Sequence, residues 1–200
     1  MSEISQQPRA LGPKGKTRTE KSPYLTGWKK ELWDWSKALI VAFVIVLLLK
    51  AYVFQLSTVK HQSMQPTLYE NEWLFINKIA YEFGDPKRGD VVILKDPSED
   101  DTRKEHLVKR IIGMPGDTLE IRNGQLYING ELKVESYTDV KIEDGDYGPV
   151  TVTPDHYFVM GDNRHLNGSK DSRTFNEVPI SMIEGRGDFI LWPISKWAKL

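Results

Sequence analysis

Three short segments carry side chains whose types and spacing suit chemistry. The first, Ser63-Met64-Gln65-Pro66-Thr67-Leu68, presents a hydroxyl in a polar turn that Pro66 punctuates. The second, HLVKRIIGMPGD at 106–117, reads as a strand. Alternation then sets Leu107, Lys109 and Ile111 on one face and His106, Val108 and Arg110 on the other. Lys109 shares its face with two aliphatic side chains. Desolvation lowers the pKa of a lysine, which can then serve as a general base. The same lysine on an exposed edge strand would instead guard the sheet against aggregation. The third segment, GDNRHLNGSKDSR at 161–173, is dense in turn formers and in side chains that lock loops by local hydrogen bonds. By composition it is equally an ordinary surface loop.

Other chemistries lack their residues. The chain of 200 residues contains no Cys, which removes disulfides, thiolate metal sites and a cysteine nucleophile together. It has no Gly-rich phosphate loop before a helix, no His-Glu-x-x-His and no Gly-x-Ser-x-Gly. His61, His106, His156 and His165 show no metal-ligand spacing. Neither a metal nor a cofactor is expected. Net charge is −1, but residues 1–37 hold 8 Lys/Arg against 4 Asp/Glu, and residues 38–200 hold 19 against 24. A basic head on an acidic body argues against a nucleic-acid partner.

Between head and body lies an apolar segment. Residues 38–49 read ALIVAFVIVLLL; Lys50 interrupts, and AYVFQL continues to Leu56. As a helix, residues 38–56 would span roughly 28 Å, close to the hydrocarbon thickness of a bilayer. Trp28, Trp33 and Trp35 beside Lys29, Lys30 and Lys37 form the aromatic and basic flank of a cytoplasmic face. A cleaved signal peptide would need a small-x-small site after Leu49, where Lys50, Ala51 and Tyr52 stand instead. A buried helix of a soluble protein would be apolar all round in a chain too small to enclose it. A retained anchor at 38–56, with a basic cytoplasmic tail and interfacial segment at 1–37, fits best. Residues 1–25 of that tail read as disordered.

The rest, 57–200, reads as an extracytoplasmic β-domain. Short apolar runs at 73–76, 91–94, 106–112, 118–121, 125–128, 156–160 and 188–191 alternate with turn signals. Asn123-Gly124 and Asn129-Gly130 mark two hairpins. Residues 95–105 look like a charged exposed loop and 135–149 like a mobile excursion.

Together the segments resemble the bacterial type I signal peptidases, membrane-bound serine proteases that remove signal peptides. The motifs are Ser-Met-x-Pro-Thr-Leu, Arg-Gly-Asp-Val-Val at 88–92, Lys-Arg-Ile-Ile-Gly-Met-Pro-Gly-Asp at 109–117, and Gly-Asp-Asn-Arg with Ser-x-Asp-Ser-Arg within 161–173. They stand in the family's order behind a basic-flanked anchor, and a single anchor with a compact body looks like the Gram-positive type. The resemblance implies a mainly β fold: one transmembrane helix, then an antiparallel β-sheet catalytic domain shared in its core with the self-cleaving repressors. It implies a Ser–Lys dyad with Ser63 as nucleophile and Lys109 as general base. Ser169 would hydrogen-bond and orient the lysine. Asp171 and Arg173 would form a bracing salt bridge, with Asp162 and Arg164 in the motif around it. Met64 and Leu107 would shape a small pocket for an Ala side chain. The partners implied are signal peptides of exported preproteins, cut after small-x-small sites, and membrane lipid.

The chain departs from the family pattern at three places. His61 stands two residues before Ser63, where Gly or Ser is usual; its ring would either donate to the oxyanion beside the Ser63 N–H or crowd the pocket. Four residues separate Arg164 from Ser169 where two are usual, and Asn176 replaces a Gly. Two other readings remain: a silent tethered domain that binds extended peptides, and a relative of the self-cleaving repressors. Ser63 and Lys109 speak against the first, and an anchor in place of a DNA-binding helix pair against the second.

Overall fold

The computed structural model describes residues 24–98 and 106–200. The tail expected at 1–25 lies outside the described residues up to position 23, as do residues 99–105 of the expected charged loop. The chain divides into two units, the second running from Ile45 to Leu200.

Helix α1 (Tyr24–Tyr52) carries Lys29, Lys30, Glu31, Asp34 and Lys37 in its first half and is apolar from Ala38 to Leu49. Its stretch Gly27–Tyr52 is long and apolar enough to cross a membrane, with mean hydropathy 2.1 and none of it buried. The apolar segment expected to continue to Leu56 is divided. The helix stops at Tyr52, and strand β1 (Phe54–Thr58) pairs antiparallel with β2 (Trp73–Asn77), from Phe54 opposite Asn77 to Thr58 opposite Trp73. Hydrophobicity cannot separate a helix end from a following strand. A cross-strand partner can: the Phe54 ring stacks on Phe75 at 5.5 Å.

The second unit carries two antiparallel sheets. Its remaining strands are β3 (Val91–Lys95), β4 (His106–Gly113), β5 (Thr118–Arg122), β6 (Gln125–Ile128), β7 (Glu131–Leu132), β8 (Tyr147–Thr151), β9 (His156–Met160), β10 (Val178–Pro179), β11 (Ile183–Trp192) and β12 (Ala198–Lys199). The large sheet runs β1-β2-β11-β3-β4-β9-β10, with β12 added on β11; the small one runs β7-β6-β5-β8. Both Asn-Gly pairs make hairpins, joining β5 to β6 and β6 to β7 with both central residues at positive φ, as a type I′ turn requires.

Each sheet face has its own core. Val91 and Ile93 pack with Met64, Leu68, Leu74 and Ile76, whereas Val92 and Leu94 pack with Ile111, Val159 and Val178. This split follows from the period of two along β3, which is buried on both faces. The small sheet contributes Leu119, Ile121, Leu126 and Ile128 to a third cluster with Ile112, Phe158 and Met160.

The excursion at 135–149 is not loose. Ile142 is buried in that third cluster, Tyr147 opens β8, and the acids are held: Glu135 by Arg164, Asp144 by Arg173, and Asp146 by the Asn123 amide. Composition showed acids and glycines; it did not show that cations wait opposite them.

Candidate active site

Ser63 sits in a 3-10 turn (Gln62–Met64) shortly after β1, and Lys109 lies midway along β4. These elements meet because both turn residue Met64 and strand residue Val108 pack against one core cluster. Lys109 Nζ donates to Ser63 Oγ at 2.7 Å and to the Val108 carbonyl at 3.0 Å. Only 2% of Lys109 is exposed. No acid lies within ion-pairing distance of it among the described residues. Burial lowers its pKa to about 8, while the more distant carboxylates of Asp171, Asp96 and Asp162 oppose the shift and Lys170 adds to it. Once the amine is neutral, its lone pair can accept the Ser63 Oγ–H proton across the same 2.7 Å.

Two strand edges flank the pair. Among the described residues β1 pairs with β2 alone, which leaves its other edge open there. β4 pairs with β3 along residues 106–110, but its register with β9 begins only at Arg110. Among the described residues, 106–109 therefore present a second open edge. The groove between them is lined by Leu56, Thr58 and His61 on one side and by His106, Leu107 and Val108 on the other, with buried Met64 reaching into it. Met64 and Leu107, expected at a small pocket, thus both reach this groove. His61 has extended backbone, an exposed side chain and no capping hydrogen bond.

The segment at 161–173 holds the Ser63 turn from behind. The Asn163 amide N–H donates to the Ser63 carbonyl at 3.0 Å, and its side-chain Nδ2 donates to the Gln62 carbonyl at 3.1 Å. At Gly161 a Cβ would stand 2.2 Å from the Ser63 carbonyl oxygen and 2.3 Å from Ser169 Oγ, so only glycine fits between them. Asp171 caps the short helix α2 (Ser172–Phe175), accepts from the Gly161 amide, and takes both Nε and Nη2 of Arg173 at 2.8 Å. Arg173 also reaches Asp144 at 2.6 Å.

Asp162 and Arg164, expected in the motif around that salt bridge, take separate partners. Asp162 takes Arg110 in a bidentate pair at 2.9 and 2.6 Å and accepts from Thr67 Oγ1 at 2.6 Å. Arg164, fully buried, forks onto Glu135 at 2.5 and 2.7 Å and donates to the Gly161 carbonyl. Ser169 does not make its expected hydrogen bond to Lys109: its Oγ is buried against Gly161 with no partner among the described residues. The longer connection before it is pinned elsewhere, with the Leu166 amide on Glu143 and the Asn167 amide on Asp144.

Sequence reasoning missed Asn163, Glu135, Arg110 and Thr67. Asn163, Arg110 and Thr67 all stood inside quoted motifs, but nothing local says what a side chain touches 52 to 101 residues away. Glu135 carried no signal at all.

The described residues hold no cluster of His, Cys, Asp or Glu with metal-binding geometry. Residues 32–192 match the family described as signal peptidase, peptidase S26. Signal peptidase I P of Bacillus subtilis subsp. natto is 39% identical over 181 residues, spanning 84% of this chain and 93% of the relative. Signal peptidase I S of Bacillus subtilis strain 168 is 40% identical over 182 residues, spanning 86% and 95%. A crystal structure of a signal peptidase I from Enterococcus faecalis is 30% identical, spans 52% of this chain and 97% of that one, and has a TM-score of 0.43. With four-fifths of its length inside the family match and relatives near 40% identity over almost their whole length, this chain belongs to the signal peptidase family, peptidase S26, in its Gram-positive type, and is a serine peptidase.

Proposed function

We propose that this protein is a membrane-bound serine endopeptidase that removes N-terminal signal peptides from exported preproteins by a Ser63–Lys109 dyad. The observation that carries the reading is the buried Lys109 amine, 2.7 Å from Ser63 Oγ and without an acid partner among the described residues. Neutral Lys109 takes the Ser63 proton as Oγ attacks the scissile carbonyl carbon. The oxyanion forms beside the Ser63 backbone N–H, a preorganised donor. Collapse breaks the C–N bond, and the Lys109 ammonium returns its proton to the leaving amine, which departs as the mature protein. The signal peptide is left as an ester on Ser63. Lys109, neutral again, takes a proton from water as that water attacks the ester, and the proton returns to Ser63 Oγ as the acid product leaves.

The open edges of β1 and of residues 106–109 support binding of the substrate as an extended strand, which needs no particular side chain for its main-chain hydrogen bonds. Met64 and Leu107 beside the dyad support selection of a small residue before the scissile bond, hence small-x-small sites. Helix α1 supports a single-pass anchor. The eight basic residues before Ala38 support a cytoplasmic N-terminus, with 1–37 inside and the β-domain outside the cytoplasm. The exposed Trp73, Trp192, Ile194 and Trp197 of the β-domain support contact with membrane lipid. No metal, cofactor or nucleic acid has a part in this reading.

The test is cleavage of a preprotein by the full-length protein in detergent, wild type beside Ser63→Ala. Wild type should release the mature protein with its new N-terminus after a small-x-small site. Cleavage by Ser63→Ala at the wild-type rate would sink the reading.

A further inference from the structure

The peptide bond between Gln62 and Ser63 is trans, so its N–H and its carbonyl point in opposite directions within one plane. In the reaction the N–H of that bond is the donor beside which the oxyanion forms. Whatever fixes the Gln62 carbonyl therefore fixes the aim of the Ser63 N–H.

That carbonyl accepts twice. The Gln65 amide donates to it at 3.0 Å and closes the 3-10 turn, and Asn163 Nδ2 donates to it at 3.1 Å from a segment a hundred residues on. A carbonyl oxygen has two lone pairs, so both are used. The Ser63 amide is the second of the turn, ahead of any carbonyl that the turn could offer it, and it makes no other hydrogen bond among the described residues. One end of the peptide is thus saturated while the other is free for a ligand. Donors on the carbonyl also polarise the peptide and strengthen its N–H as a donor.

Asn163 is itself held from behind. It is 8% exposed, and its own amide donates to the Ser63 carbonyl at 3.0 Å. Its Oδ1 accepts from the His165 amide at 3.2 Å. The Gly168 amide closes a turn onto the His165 carbonyl at 2.8 Å, and a Cβ on Gly168 would stand 2.4 Å from Asn163 Oδ1. This turn is the longer connection between Arg164 and Ser169. It occupies the acceptor side of the Asn163 amide and leaves the donor side for Gln62. A carboxylate could take the His165 amide but would set its second oxygen against the Gln62 carbonyl; the amide of asparagine satisfies both contacts.

We propose that Asn163 is a positioning residue for the oxyanion donor: Nδ2 on the Gln62 carbonyl aims and strengthens the Ser63 N–H, and the turn at 165–168 holds Asn163 in place through Oδ1. Asn163 touches no reacting atom and acts through the Gln62–Ser63 peptide. This deepens the reading of Ser63 as nucleophile and rests on it. A spacer and a donor predict different things. A spacer needs only the volume of the side chain, whereas a donor needs Nδ2. A better-aimed oxyanion donor stabilises the transition state more than the bound substrate, so its loss falls on kcat rather than on KM.

The experiment is preprotein cleavage by the full-length protein in detergent, on the alkaline plateau of activity, with thermal unfolding of each variant alongside. Asn163→Ala removes the donor, and Asn163→Leu removes it while keeping a side chain of similar size. Both should lower kcat by about 10- to 100-fold, less than the outright loss of an oxyanion donor, and leave KM within about twofold. The probe is a peptide aldehyde ending in Ala. Ser63 Oγ adds to its carbonyl carbon and sets the aldehyde oxygen where the oxyanion forms, so its affinity should fall by the same factor as kcat. Gly168→Ala presses on Oδ1 with the Asn163 amide intact. It should lower kcat in the same way and add little to Asn163→Ala, and it tests the contact even if an Asn163 variant fails to fold. Wild-type kcat in Asn163→Leu, a rise in KM with kcat unchanged, or an aldehyde affinity that stays put while kcat falls would each overturn the inference. Ser63→Ala and Lys109→Met in the same assay separate the two levels. If both are inactive and the Asn163 and Gly168 variants keep the wild-type kcat, the dyad stands and this inference falls alone. If either cleaves at the wild-type rate, the dyad falls and takes this inference with it.

Discussion

Lys109 and Arg110 are consecutive in β4 and both are buried, 2% and 7% exposed, yet they face differently furnished regions. On the groove side Lys109 meets a serine hydroxyl, a carbonyl and aliphatic side chains. On the brace side Arg110 meets both oxygens of Asp162, the Gly89 carbonyl and the ring of Tyr137 at 4.2 Å. Burial pushes both cations toward neutrality. For Arg110 the bidentate carboxylate outweighs burial and its pKa rises; for Lys109 burial wins and its pKa falls. A buried cation with a carboxylate stays charged and holds structure, whereas one without becomes available for proton transfer. The other two brace arginines are likewise paired with carboxylates, Arg164 with Glu135 and Arg173 with Asp171.

The sharpest way to break this contrast is to delete the groove chemistry. Ser63→Ala and Lys109→Ala should each lower kcat/KM by about 10⁴-fold or more, and the double variant should be no worse than either, since residues acting as a unit are grossly non-additive. Additive losses, or substantial activity in Lys109→Ala at neutral pH, would mean that another base shares the work.

On the brace side the largest effect should be on folding. Asp162→Ala strands the Arg110 guanidinium and the Thr67 hydroxyl, and leaving one member of a buried ion pair alone costs about 3–5 kcal/mol. Urea unfolding of the full chain in detergent measures it; a loss below about 1 kcal/mol would show that the brace carries little.

Removing the groove cation should do the reverse. The Lys109 pKa is lowered from 10.5 to about 8, so the folded state disfavours the charged amine. The resulting penalty is fully present below pH 8 and is gone above 10.5. Lys109→Met should therefore stabilise the fold at pH 7 by up to about 3 kcal/mol while abolishing activity, and the gain should vanish above about pH 10.5. For the wild type, activity should rise with pH along a limb centred near 8, because only neutral Lys109 accepts the serine proton. Full activity at pH 5 would exclude lysine as the base.

The smallest effect belongs to His61, which lines the groove with an exposed ring and no capping contact. His61→Gly should leave kcat and KM almost unchanged. A loss of about 10²-fold in kcat for both His61→Ala and His61→Gly, partly restored by His61→Ser, would instead make the ring an oxyanion donor.

Legibility followed distance along the chain. The Asn-Gly hairpins, the central strands and the apolar helix were readable because a few neighbouring residues suffice to specify each. β1 was not, because its apolar residues continue those of the helix and only the partner strand β2 separates them. The excursion at 135–149 looked loose because its anchors, Arg164 and Arg173, lie some thirty residues downstream.

At the site the division is the same. The order of the family's motifs nominated Ser63 and Lys109, whereas residue types alone left an ordinary polar turn and an edge-strand lysine as open readings. Packing alone decided what surrounds them: which buried cation receives a carboxylate, that Asn163 holds the Ser63 turn, and that Ser169 Oγ finds no partner among the described residues. A pKa depends on desolvation and on charges within a few ångströms, and residues that close in space can be a hundred positions apart in the chain.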